Sequence, residues 1–137
     1  MSVPSSLERE VHQRARDRCE YCRMHQSLQG ASFHIEHVIP VSLGGTNSGT
    51  NLALACPSCN LHKSNRVEAA DSETGTMSPL FHPLADRWSD HFRIDGFRVF
   101  GTTATGRATV EALKFNHPRR LKIRQAEAQF ELFPPSL

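Results

Sequence analysis

The sequence predicts an α+β fold held by a metal staple, and three observations carry that reading. Two Cys-x-x-Cys pairs flank a stretch with the order strand, loop, strand; a short helix follows the second pair; and an Asp-Gly hairpin with helical segments completes the chain. At 137 residues the chain fits one compact domain, or one small module with an appendage, rather than two full domains. Charged residues at 22% and apolar ones at 38% exclude a disordered polyelectrolyte, and no apolar run approaches the ~20 residues of a spanning helix. Met1-Ser2-Val3-Pro4-Ser5-Ser6 has no basic segment ahead of an apolar one, so a cytoplasmic location is expected. A net charge of +2 is too small to point to nucleic acid by itself.

Ser5 and Glu8 form a capping-box pattern, and Leu7, Val11 and Ala15 recur on one face, which predicts a helix over 6–17. Phe33 through Val41 is β-prone and broken by Pro40, then Gly44-Gly45-Thr46-Asn47 marks a loop and Asn51–Ala55 a second strand. Asn60-Leu61-His62-Lys63-Ser64 begins a short helix. Glu68 to Pro83 contains Asp71, Gly75, Ser78 and Pro79 without periodicity and is expected to be a connecting loop. That loop divides the chain into a core over 1–70 and an extension over 71–137 packed on it.

Within the extension, Asp95-Gly96 predicts a two-residue type I′ turn, which would pair Ile94 with Phe97 and Phe92 with Val99 on one face. The same register sets Arg93 opposite Arg98 on the other face, a repulsive pair that an anion would relieve. Thr105 to Phe115 reads as a helix. Asn116-His117-Pro118 starts another that carries Leu121, Ala126, Phe130 and Phe133 and ends at Pro134-Pro135. The basic run from Arg119 to Arg124 is expected to be a solvated helix face, and the aromatic residues around Phe81, Trp88 and Phe92 core.

Cys19, Cys22, Cys56 and Cys59 form two identical knuckles with 33 residues between them, and two such pairs complete a tetrahedral zinc site. A thioredoxin-like redox role needs one reactive pair beside a βαβ pattern, and none is present. Four thiolates leave zinc no open position, so that ion is structural and any catalytic metal must bind elsewhere. Between the knuckles stands His34-Ile35-Glu36-His37, a cluster able to supply a metal ligand and a base. In an ideal strand His34 and Glu36 share a face and His37 points to the other.

Taken together, the two knuckles, His-Ile-Glu-His-Val-Ile-Pro, Gly-Gly-Thr-Asn, Asn51-Leu52, Asn60 and Lys63 resemble the zinc-containing HNH endonuclease family over roughly residues 19–66. The resemblance implies a ββα-metal unit around one divalent ion. It assigns His37 as general base, Glu36 and Asn60 as ligands of Mg²⁺, Mn²⁺ or a similar ion, and Asn51 as the residue that braces the loop. A neutral imidazole suits proton removal from water, and an amide oxygen suits a hard ion. Glu36 stands where many family members carry Asp, and its longer side chain leaves three alternatives: the ion moves, His34 is recruited as an additional ligand, or metal affinity is poor. Lys63 and, more weakly, His62 are expected to contact nucleic-acid phosphates. The function implied is metal-dependent hydrolysis of DNA; the alternatives are a non-catalytic zinc-stabilised nucleic-acid-binding module and a nuclease acting chiefly on RNA.

Overall fold

A polar strand and an apolar one close into an antiparallel ribbon: β1 (His34–His37) pairs with β2 (Leu52–Ala55), and Glu36 lies opposite Ala53. β2 is buried throughout, whereas β1 fully buries only Glu36. The computed structural model describes residues 3–136.

Ahead of the ribbon, α1 (Ser5–Ala15) packs Val11 into the core, with Leu7 and Ala15 partly covered. The expected capping box does not form: Pro4 is the N-cap, Ser5 lies inside the first turn, and no side chain caps that end. The helix stops short of the predicted 17 because Arg16 and Asp17 adopt left-handed backbone at φ 53° and 61°. Arg14 then reaches the ribbon, donating to Glu20 and to the Leu52 carbonyl.

After β2, α2 (Pro57–Lys63) begins three residues earlier than predicted, because Pro57 suits the first helical turn and the Cys56 thiol accepts the Cys59 N–H at the cap. β1, loop, β2 and α2 thus run in the order read from the sequence. The predicted loop over 68–83 is in part a ribbon: β3 (Glu68–Ala70) pairs with β4 (Met77–Pro79). Its turn is organised by Asp71, which accepts from the Glu73 N–H, the Thr74 hydroxyl and Arg107. The expected division at residue 70 therefore falls at the turn of a single hairpin.

A single turn, α3 (Trp88–His91), leads into β5 (Phe92–Asp95) and β6 (Arg98–Gly101). The hairpin exists, but its turn moves on by one residue and its register by two: Ile94 faces Val99 and Asp95 faces Arg98, with Gly96 and Phe97 as the central residues. Gly96, at φ 62°, takes the first central position, which a type II′ turn reserves for glycine. The Arg93–Arg98 repulsion accordingly disappears: Arg93 lies over the Phe100 ring at 4.6 Å and within 3.9 Å of Asp95. Thr103 caps α4 (Ala104–Ala112), and His117 caps α5 (Pro118–Gln129). Phe133 lies beyond α5 and stacks on Phe97 at 5.6 Å.

Phe81, Trp88 and Phe92 are buried, with ring centroids 5.2 Å apart for Phe81–Phe92 and 4.8 Å for Trp88–Phe92. The Trp88 indole N–H donates to the Tyr21 carbonyl at 2.9 Å, joining this aromatic cluster to the first cysteine knuckle.

Candidate active site and zinc centre

The first knuckle is a tight turn before β1 and the second is the cap of α2, so pairing β1 with β2 brings both to one end of the ribbon. All four sulfurs are buried and lie within 4.8 Å of one another, with Cys22 and Cys56 Sγ atoms 3.9 Å apart. A tetrahedral Zn–S₄ site with bonds of about 2.3 Å has S···S edges of about 3.8 Å, so the cluster fits zinc. Arg120 completes it from α5. Its Nη2 donates to Cys59 Sγ at 3.3 Å and Cys56 Sγ at 3.7 Å, while Nη1 binds the Leu113 carbonyl at 2.9 Å. Burial by itself would push the guanidinium down, but the thiolates raise it well above its ordinary value, so it stays a cation. The expected solvated basic face on α5 holds for Arg119 and Lys122, which are exposed, and fails for Arg120 and Arg124: Arg120 turns inward to the thiolates, and Arg124 to the Phe97 carbonyl at 3.0 Å.

The ribbon carries Glu36 and His37 to opposite sides. Glu36 is buried, and both of its oxygens are engaged: Oε1 accepts from the Tyr21 hydroxyl, and Oε2 from Lys63 Nζ at 3.3 Å. Burial raises the Glu36 carboxyl, while Lys63 and the Tyr21 hydroxyl hold it down. Burial, reinforced by Glu36, pushes Tyr21 well up, so its phenol remains a donor. Lys63, expected at the surface, is 1% exposed and also approaches the His37 carbonyl at 3.4 Å. Its ammonium points at Glu36, and a phosphate contact would require it to leave that carboxylate.

His37 is half-buried, and its Nε2 lies 2.6 Å from Asn47 Oδ1. Because the amide oxygen only accepts, Nε2 is the donor, and in the neutral ring the lone pair is on Nδ1. Asn51 holds the loop between the strands: its amide nitrogen donates to the Ile39 and Thr46 carbonyls, and its Oδ1 accepts the Ile39 N–H. Gly45 permits this fold, since a Cβ there would meet the Ile39 carbonyl oxygen at 1.7 Å. Asn60 is half-buried on α2, one turn before Lys63 on the same side. His34 is exposed at the start of β1, and His62 turns away from the ribbon, its Nδ1 donating to the Ser58 carbonyl at 2.8 Å.

Glu36, Asn60 and the His37 carbonyl are hard oxygen donors on adjoining elements, a set whose chemistry fits Mg²⁺ or Mn²⁺. The 3.3 Å lysine contact is long for a charge-assisted hydrogen bond, so the ammonium holds Glu36 without the short geometry of a locked pair. Sequence reasoning missed Tyr21, Asn47 and Arg120. Asn47 stood in the quoted Gly-Gly-Thr-Asn loop, and Tyr21 was the aromatic inside a metal knuckle; Arg120 gave no local signal.

A search of curated proteins and of solved structures finds no match to this chain. Residues 19–66, which include both knuckles, the β1–β2 ribbon and α2, match the family model described as HNH endonuclease. That stretch, about a third of the chain, is thus similar to an HNH endonuclease domain.

Proposed function

We propose that this domain is a metal-dependent endonuclease that hydrolyses phosphodiester bonds in DNA, with His37 as general base. The observation that carries the reading is the His37–Asn47 hydrogen bond, which fixes the tautomer and leaves Nδ1 to take a proton from water. Asn47 holds the ring, and Asn51 braces the loop on which Asn47 sits. Mg²⁺, Mn²⁺ or a similar ion, held by Glu36 and Asn60 with His34 as an additional ligand, would stabilise charge developing on the phosphate and the leaving oxygen. Tyr21 and Lys63 orient Glu36. Residues 1–70 carry the chemistry in this reading, and residues 71–137 buttress it through Arg120 and Trp88. The zinc is structural, and the domain works in the cytoplasm.

The test is cleavage of supercoiled plasmid with added Mg²⁺ or Mn²⁺, with an RNA substrate in parallel. His37→Ala should retain zinc, fold and DNA affinity while cleavage falls by roughly 10²–10⁴-fold, the usual contribution of a general base. Wild-type cleavage at saturating metal in that variant would remove His37 as the base. One observation favours a non-catalytic nucleic-acid-binding module instead: Glu36 is 7% exposed and already engaged by two donors. Absence of metal-stimulated cleavage, with DNA binding intact, would establish that second reading.

A further inference from the structure

The face of α2 turned away from the ribbon lines a cleft that the reading above does not use. It has a volume of about 370 Å³ and lies between α2 and the corner joining α4 to α5. Lys114, Arg119 and Arg120 line it together with His62 and His117, and its lining contains no carboxylate. The whole chain carries only +2, from 16 basic and 14 acidic residues, so this grouping is a local departure from a balanced surface. Arg120 is committed to the thiolates, which leaves Lys114 and Arg119. Both are exposed, and neither makes an ion pair among the described residues.

The two histidines add direction. The His117 Nδ1 accepts the Arg119 N–H at 3.1 Å, so its Nε2 carries a proton and is a donor. His62 is held on the cleft wall by its bond to the Ser58 carbonyl. Leu61, 72% exposed beside it, offers an apolar surface that a sugar or base edge can cover. α2 has seven residues and is therefore about 10 Å long, so this wall and Asn60 lie on different faces of one short helix.

We propose that this cleft is a docking track for the phosphate backbone of duplex DNA, with Lys114 and Arg119 as its principal phosphate contacts. The inference rests on the nucleic-acid reading of the domain and adds where the duplex lies. Lys114 also supplies a clean variant. It adopts left-handed backbone at φ 52°, a conformation that favours glycine, so Lys114→Gly removes the charge while relieving strain.

The experiment is fluorescence anisotropy of a labelled 20-base-pair duplex of mixed sequence on the zinc-loaded full chain, without Mg²⁺ or Mn²⁺, across a salt series. Lys114→Gly is expected to melt at or above the wild-type temperature and yet bind less tightly. Combined with Arg119→Ala, it should weaken binding by about tenfold or more and lower the slope of log affinity against log salt by about 2. Arg98→Ala, exposed on the β5–β6 hairpin and outside the cleft lining, should leave both unchanged. If the wild type binds and the double variant matches it in affinity and slope, the cleft is overturned and the nuclease reading stands. If the wild type binds no nucleic acid at all, both are overturned.

Discussion

The thiolate cluster and the Glu36 carboxylate are two buried negative sites a short distance apart, and each meets a cation of the chain by different means. Arg120 comes from α5, more than sixty residues beyond either sulfur it touches, and its planar fork bridges two sulfurs and a backbone carbonyl. Lys63 comes from the helix that directly follows β2 and meets Glu36 through one long contact. A guanidinium pinned at several points suits a permanent structural centre, because its fixed geometry spreads charge over several acceptors. An ammonium on a flexible stem suits a carboxylate that must exchange one cation for another. The contrast separates a site built to hold its ion from a site built to release its partner.

The largest effect that tests this comparison is loss of zinc. Chelation, or Cys59→Ser, should unfold the domain as seen by circular dichroism, since structural zinc contributes on the order of 10–16 kcal/mol of coupled binding and folding. Arg120→Met should leave the fold in place but weaken zinc by about 10–100-fold in competition with a chromophoric chelator, the usual cost of losing an outer partner. Zinc affinity equal to wild type would show that the guanidinium is only packed there.

Next in size is Lys63→Met, which keeps the stem and removes the charge. Both partners of the pair are more than nine-tenths buried, and stripping one from such a pair costs about 3–5 kcal/mol because the other charge is left uncompensated. Millimolar Mn²⁺ should restore more of the lost Tm in the variant than it adds to wild type. The same Mn²⁺ response in both proteins would mean that lysine and metal do not share Glu36.

The smallest effect comes from another buried carboxylate. Glu127 is buried, and burial pushes its carboxyl up to about 7 against the pull of the His25 backbone N–H. Between the unfolded value of about 4.3 and about 7, the folded state holds a proton that the unfolded chain has lost. Stability from this group is therefore present at low pH and lost as pH rises through 7. Glu127→Gln should melt like wild type near pH 4 and above it at pH 8. A melting difference independent of pH would assign the change to packing alone.

Local chemistry made much of this molecule legible before any coordinates. The paired Cys-x-x-Cys spacing located the zinc cluster, the strand, loop, strand, helix order located the ribbon and α2, and His117-Pro118 marked the start of α5; each depends on residues a few positions apart. The β5–β6 turn was local as well, but Asp-Gly suits two turn types, and only the packed strands chose the register that pairs Asp95 with Arg98. Lys63 and Arg120 read as surface cations because a charged residue on a short helix usually is one. Their burial was decided by carboxylate and thiolate groups 27 and 61 residues away, brought alongside by the closed ribbon and by the docking of α5. Residue type and spacing determined which chemical groups the domain owns. Tertiary structure decided which of them face each other, because a buried charge is tolerated only beside its partner, and that partner is chosen by packing.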